Sequence, residues 1–170
     1  SSGGTKISST TKITGTVTYY AQWSINSYTL TYNVNGGNAV SPASKSVQYG
    51  SAYGTLPTPT RASTAEYSYT FAGWYTAATG GTQVTANTTM GAGNTTIYAH
   101  WTATKRSYTA TFNGNGGGTP SPSTITKTYD SELGTLPSCS RTGYTFLGWY
   151  TASSGGTKIS STTKITGTVT

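Results

Sequence analysis

The 170-residue sequence has few of the side chains that perform chemistry. It contains one cysteine, one histidine and three acidic residues, against ten lysines and arginines. A single cysteine excludes an intramolecular disulfide framework. Catalytic and metal sites need several titratable groups that converge, so we expect no enzyme activity, no cofactor, and no catalytic, cofactor-binding or metal-binding residues. No apolar run reaches the length of a transmembrane helix, so no membrane span is expected in this segment.

The isolated histidine and cysteine do not recur when the sequence is compared with itself. His100 lies in a predicted strand where an upstream copy of the same motif has Gln22. A position that glutamine also occupies is not expected to be a base or a metal ligand. Cys139 corresponds to Pro59 in the neighbouring copy, which argues against a catalytic nucleophile.

Charge is sparse and scattered. The net charge is +7, yet the lysines stand singly and the one adjacent basic pair is Lys105-Arg106. Nucleic-acid binding needs dense basic clusters, so we do not expect nucleic acid as a partner. Weak attraction to anionic glycans or wall polymers is the expected consequence. Asp130 and Glu132 lie in a predicted turn, with too few oxygens for a hard-cation site.

Tyrosine, tryptophan and threonine are abundant, which is typical of β-strands. Segment 143–151 contains Tyr-Thr-Phe-Leu-Gly-Trp-Tyr-Thr and has a near-copy at 68–76. Strict alternation places Tyr144, Phe146 and Tyr150 on one face of a strand and Leu147 and Trp149 on the other. A strand that is apolar on both faces is covered on both sides. We therefore expect this segment to be the central strand of two modules that fold alike.

The sequence is a tandem array. Residues 1–18 are identical to residues 153–170. The array divides into the C-terminal half of a preceding repeat (1–27), a complete repeat module with its linker (28–107), and a second repeat module that lacks its last strand (108–170). The parent protein is therefore expected to repeat a two-module block.

Alternation and turn residues predict the elements of these modules. The predicted strands are 28–34, 46–49, 68–76, 82–84 and 96–101, preceded by 4–7 and 16–23 from the earlier repeat. Asn35-Gly36 and Asn115-Gly116 supply the positive φ angles of tight turns. Residues 51–57 are expected to form one helical turn that proline ends, and residues 102–107 a linker.

The motifs occur in a specific order. They are Tyr-Thr-x-Thr-Tyr/Phe-Asn, Asn-Gly-Gly, Gly-Thr-Leu-Pro, Arg, Tyr-Thr-Phe-x-Gly-Trp-Tyr-Thr, Gly-Gly-Thr and Ala-His/Gln-Trp. This series resembles the Listeria–Bacteroides repeat family, which includes the internalin B-repeats. The resemblance implies mainly β, or small α+β, modules of the β-grasp (ubiquitin-like) fold in tandem. It also implies an extracellular place, at a bacterial cell surface or cell wall, and no enzyme activity.

Short links between modules restrict their motion, so we expect a semi-rigid stalk or spacer that projects an adhesive domain. The alternative is a recognition module that binds host glycans or receptor proteins through exposed tyrosine and lysine.

Tryptophan and arginine recur in register in the modules. Trp23, Trp74, Trp101 and Trp149 are expected in the core, with carbohydrate stacking as the alternative. The guanidinium groups of Arg61 and Arg141 are expected to be buried and to satisfy carbonyls or stack on an aromatic ring, with ligand contact as the alternative.

The missing last strand predicts self-association. The open edge of module 108–170 is a template for strand addition, and Thr18–Trp23 is a suitable strand. We expect head-to-tail or swapped pairing in which residues 1–23 of one chain complete the module that begins at residue 108 in another. Pairing that does not close gives filaments.

Overall fold

The computed structural model describes residues 4–168, which contain seven β-strands and no helix. This confirms a mainly β fold. No described segment forms a helix capable of crossing a membrane. Residues 1–3 and 169–170, the outermost parts of the predicted pairing segments, lie outside the described residues. The strands are β1 (Ser27–Asn33), β2 (Ser44–Gln48), β3 (Tyr67–Tyr75), β4 (Gln83–Val84), β5 (Thr95–Lys105), β6 (Ser107–Thr111) and β7 (Thr124–Thr128).

Strands β1 to β5 form one sheet, which we call the first module (residues 27–105). The strand order is β2-β1-β5-β3-β4. β1 is antiparallel to β2 and parallel to β5, and β3 is antiparallel to β5 and to β4. The middle strand is therefore β5, not the predicted segment 68–76, which forms β3 beside it.

The core of the first module comes from alternate residues of β1 and β5. Leu30 and Tyr32 of β1 and Ile97 and Ala99 of β5 are buried in one cluster with Trp74. Alternation explains this because residues two apart in a strand share a face. Burial raises the pKa of the Tyr32 hydroxyl, since the charged form would lose its hydration.

A β-bulge in β3 changes the predicted alternation. The register against β5 shifts between Phe71 and Gly73, and Gly73 has a φ of 136°. A bulge inserts one extra residue into a strand, so Phe71 and Trp74 lie on the same face of β3. Their rings meet edge to face in one core, with centroids 5.6 Å apart. Phe146 and Trp149 repeat this contact at 5.3 Å. The prediction that placed Phe146 and Trp149 on opposite faces is therefore wrong.

Residues 107–168, the second module, repeat this plan in part. β6 and β7 form an antiparallel pair. Segment 143–151 is not a strand, and it joins the module through isolated bridges such as that of Tyr150 with Lys158. In the first module β5 pairs with the equivalent segment, and residues 108–170 contain no counterpart of β5. The two modules therefore differ, contrary to the expectation that they fold alike. The second core consists of Ala110, Phe112, Leu133, Trp149 and Ile165.

The strands predicted at 4–7 and 16–23 are not formed, because residues 4–26 contain no strand. The duplicated segments show the reason. Ile165 is 1% exposed in the second module, whereas Ile13, its counterpart in the identical upstream segment, is 71% exposed. A short polar segment needs apolar neighbours to pack in an ordered place. The described residues provide such neighbours for the downstream copy, which joins the second module through isolated bridges at Lys158 and Lys164.

One residue connects the two modules. β5 ends at Lys105 and β6 begins at Ser107, so most of the predicted linker 102–107 is strand. We call residues 62–66, which precede β3, the junction loop. The Arg106 guanidinium donates a hydrogen bond to the Thr64 carbonyl oxygen at 2.8 Å. The Tyr108 hydroxyl donates to the Ala65 carbonyl oxygen at 2.7 Å. The junction loop therefore ties the start of the second module to the end of the first.

The helical turn predicted for residues 51–57 is also absent from the structure. The backbone N–H groups of Tyr53 and Gly54 donate to the carbonyl oxygens of Thr88 and Ala86 at 2.7 and 2.8 Å. These bonds tie the backbone of this segment to a distant one, whereas a helix would satisfy its N–H groups locally.

Candidate functional site: an open groove in the second module

A groove of about 850 Å³ opens on the second module beside segment 143–151. Trp149 lies at its base, 9% exposed, and the Phe112 ring meets it edge to face at 5.0 Å. Phe146 and Leu147 border the groove and are 47% and 70% exposed. A cluster of exposed apolar side chains of this kind is a candidate interaction surface.

In the first module β5 fills the equivalent place. The Trp101 ring meets the Phe71 ring edge to face at 5.7 Å, and the Trp101 indole N–H donates to the Val34 carbonyl oxygen at 3.2 Å. A side chain at Gly37 would overlap the Trp101 ring, so this glycine leaves room for the tryptophan. By sequence, the counterparts of Phe71, Val34 and Gly37 in the second module are Phe146, Gly114 and Gly117.

An asparagine near the groove has one hydrogen bond fewer than its counterpart. The Asn35 side-chain amide donates to the carbonyl oxygens of Ala78 and Ala99, at 2.9 and 3.0 Å. The Asn115 amide donates to the Ser153 carbonyl oxygen at 2.9 Å. Ala99 belongs to β5, and the described residues place no equivalent carbonyl at Asn115. One amide hydrogen of Asn115 is therefore available at the edge of the groove.

The N-terminal segment carries the sequence that would match this groove. Residues 17–23 correspond to residues 95–101 of β5, and both contain the Tyr-Ala-x-Trp motif. Trp23 is 92% exposed and Tyr20 is 83% exposed. The expectation that all four tryptophans lie in a core is therefore wrong for Trp23. Trp74 and Trp149 are buried, and Trp101 is half-buried.

Both recurrent arginines stack on tyrosine, as predicted, but neither is buried, since Arg61 is half-buried and Arg141 is exposed. The guanidinium carbon of Arg61 is 4.0 Å from the centroid of the Tyr69 ring, and that of Arg141 is 4.1 Å from the Tyr144 ring. Each guanidinium also lies beside the Asn-Gly-Gly turn of its own module. At partly exposed positions such a stack contributes about 0.5–1 kcal/mol, which helps to hold the turn against the neighbouring segment.

His100, Cys139 and Asp130 have local partners. His100 stacks on the Tyr75 ring with centroids 3.9 Å apart. The Cys139 thiol borders the groove and donates to a backbone carbonyl oxygen. Asp130 forms an exposed ion pair with Lys164 at 3.0 Å. Within residues 4–168, no three His, Cys, Asp or Glu side chains gather as a metal site would require. The absence of catalytic, cofactor and metal residues stays a prediction.

Comparison with known families agrees with the order of the motifs. The sequence model of the Listeria-Bacteroides repeat domain matches residues 28–100 and 108–170. The chain belongs to the Listeria-Bacteroides repeat family. No solved structure matches the chain significantly.

Several curated relatives match this chain over part of a longer sequence. Internalin H of Listeria monocytogenes is 47% identical over 91 residues, which cover 53% of this chain and 16% of that protein. A putative membrane protein of Evansella cellulosilytica is 33% identical over 139 residues, covering 80% of the chain and 20% of that protein. A putative Gly-rich membrane protein of the same organism is 32% identical over 134 residues, or 79% and 14%. The chain thus spans a fifth or less of the length of these relatives.

Proposed function

We propose that this chain is a non-enzymatic repeat region of a bacterial cell-surface or secreted adhesin, and that it acts as a semi-rigid stalk or spacer. Membership of the Listeria-Bacteroides repeat family and the similarity to Internalin H support a surface-protein repeat region. The observation that carries the stalk role is the junction. Only Arg106 separates β5 from β6, and the junction loop is hydrogen-bonded to Arg106 and Tyr108. A connection of one braced residue restricts motion that a flexible linker would permit.

The proposal includes a β-grasp (ubiquitin-like) assignment for the modules. The strand order β2-β1-β5-β3-β4, with β1 and β5 parallel, supports it. Under this assignment residues 28–107 are a complete module with its linker and residues 108–170 are a second module without its last strand. Residues 1–27 are the C-terminal half of a preceding repeat.

The stalk role can be tested by measuring the distance between the modules. Spin labels at Gly91→Cys and Thr162→Cys, in a Cys139→Ser background, report on exposed positions of the two modules. Pulsed electron paramagnetic resonance of a spin-diluted sample should give one narrow distance distribution. A distribution as broad as that of two domains on a flexible linker would overturn the stalk proposal.

Recognition of host glycans or receptor proteins is the alternative, and the net charge of +7 and the exposed aromatic rings of Tyr20 and Trp23 favour it. Heparin-column retention and a glycan array separate the two functions. Elution at modest salt without glycan selectivity supports the stalk, because surface charge alone gives weak, salt-sensitive attraction. Selective binding at physiological salt supports recognition.

Self-association by strand exchange is the last part of the proposal. Two complementary surfaces support it: the open edge of the module 108–170 and the exposed apolar residues within 1–23.

A further inference from the structure

We infer that the groove of the second module binds residues 17–23 of another copy of this chain, as a strand parallel to β6. The register is the one that β5 has in the first module. This inference rests on the proposed self-association and specifies its partner segment and its contacts.

The register follows from the first module. There Tyr32 of β1 pairs with Ile97, and Phe71 and Trp74 of β3 pair with Trp101 and Ala99. Transferred by sequence, these pairs place Tyr19 opposite Phe112, Ala21 opposite Trp149, and Trp23 opposite Phe146.

The side chains of this segment fit the groove by alternation. Tyr19, Ala21 and Trp23 take the positions of Ile97, Ala99 and Trp101, and the first two of those positions are completely buried. Thr18 takes the position of Thr96, which is exposed. The apolar face of the segment therefore turns toward the exposed apolar surface of the groove, which removes both from water.

The position of Trp101 in the first module assigns Trp23 a position beside Gly117. In the first module the equivalent tryptophan ring lies where a side chain at Gly37 would stand, with its N–H on the carbonyl oxygen of Val34. Gly117 likewise carries no side chain, although the Cys139 sulfur lies 3.2 Å from where a Cβ would stand, and Gly114 offers the same carbonyl as Val34. The Trp23 indole would pack on Phe146 and donate to Gly114.

Asn115 supplies a polar contact for the same register. Its side-chain amide has a hydrogen available where Asn35 bonds to Ala99 of β5. Ala21 is the counterpart of Ala99, so its carbonyl oxygen meets this donor. A segment shifted by one residue would present the opposite face and lose both this bond and the apolar fit.

Chain length excludes pairing within one molecule. Leu30 of β1 pairs with Thr95 of β5, and the two strands are parallel. Ser27, where β1 starts, lies three residues before Leu30, whereas Lys105, where β5 ends, lies beyond Thr95 in the other direction. Ser27 and the junction therefore lie at opposite ends of the first module, about 40 Å apart at ~3.3 Å per residue. The three residues between Trp23 and Ser27 allow those two Cα atoms to separate by about 14 Å at most. Residues 17–23 in the groove would therefore come from a second copy.

Each chain thus offers its strand beyond one end of the first module and its groove beyond the other. Because the two surfaces differ and lie on different ends, the contact is heterologous and propagates head to tail.

Paired variants of the full chain test this inference. Ala21→Glu places a charge against Trp149 in the bound state, whereas Thr18→Glu places the same charge in solvent. Both residues are exposed in the free segment, so neither change disturbs the fold. By sedimentation velocity, the wild type and Thr18→Glu should gain mass as concentration rises, and Ala21→Glu should weaken association at least ~100-fold, because burying an unpaired charge is costly. A monomeric wild type at millimolar concentration, or equal association of both variants, would overturn the inference.

A peptide of residues 16–26 tests the groove directly. The Ala21→Glu chain keeps an intact groove, so it should bind the wild-type peptide, with a change in the amide spectra of Phe146 and Trp149, and should not bind the peptide carrying Ala21→Glu. Equal binding of both peptides would refute the register. Such failure leaves the stalk proposal intact, because the narrow distance distribution between the modules depends on the junction and not on the groove.

Discussion

Replacing Arg106 by alanine together with Tyr108 by phenylalanine should loosen the junction between the modules. The first change removes the guanidinium donor to Thr64, and the second removes the hydroxyl donor to Ala65. Loss of the Arg106 guanidinium also ends its stacking on Tyr108, where the guanidinium carbon is 5.0 Å from the ring centroid. Phenylalanine keeps the ring of Tyr108, so the packing of β6 should remain.

The size of the effect follows from these contacts. A hydrogen bond of this kind contributes about 1 kcal/mol net, and a partly exposed cation–π contact about 0.5–1 kcal/mol. Together they amount to about 2–3 kcal/mol. A loss of this size raises the population of the open junction, in which the junction loop is detached from Arg106 and Tyr108, roughly 30- to 150-fold.

The labels at positions 91 and 162 provide the assay. In the double variant the narrow distance distribution should become broad, while circular dichroism and the unfolding midpoint of the first module stay near those of the wild type. Lys105→Ala is the control, because its ion pair with Glu66 spans 3.8 Å and both side chains are 42% exposed. Such a pair contributes about 0–1 kcal/mol. An unchanged distribution in the double variant, or equal broadening by Lys105→Ala, would refute the role of the junction loop.

Three further predictions concern stability. Ile165→Ala should lower the free energy of unfolding, measured with urea, by about 2–4 kcal/mol because it leaves a cavity. Ile13→Ala, in the identical upstream segment, should leave the urea midpoint unchanged. Equal effects of the two changes would contradict the structure. Gly73→Ala should cost about 1–3 kcal/mol in thermal unfolding, because its φ is 136° and a Cβ would lie 2.5 Å from a neighbouring side-chain nitrogen; Gly91→Ala, with open space around it, should be nearly neutral. Burial raises the pKa of Tyr32 above its ordinary value of 10.0. The contribution of the neutral hydroxyl to folding stability is therefore complete below pH 10 and is lost as the pH rises through the pKa of the folded state. Tyr32→Phe should therefore flatten the fall of melting temperature above about pH 10, and an unchanged slope would exclude this cause.

The local features of the first module could be predicted from its sequence. Alternation in 28–34 gives β1, and Asn35 and Gly36 have the positive φ values, 46° and 84°, that their turn requires. Burial of Trp74 follows from its apolar strand. These features depend on neighbours in the sequence, so a single strand and its turn carry the necessary information.

Features that depend on distant neighbours could not be predicted. The bulge at Gly73 is defined by its register against β5, and strict alternation gave no sign of it. The bond from Asn35 to Ala99 joins residues 64 apart, so the same motif at Asn115 gave no indication of an available donor. Ile13 and Ile165 occupy identical local sequences and differ completely in exposure. For these positions tertiary contacts decide the outcome.

The parallel pairing of β1 and β5 has a mechanical consequence. The chain enters the first module at Ser27 and leaves it at Lys105, from adjacent strands and at opposite ends. Tension along the chain would pull these two strands in opposite directions, in shear. The hydrogen bonds between 30–33 and 95–98 would then bear the load together, whereas a hairpin pulled from one end would lose its bonds one after another.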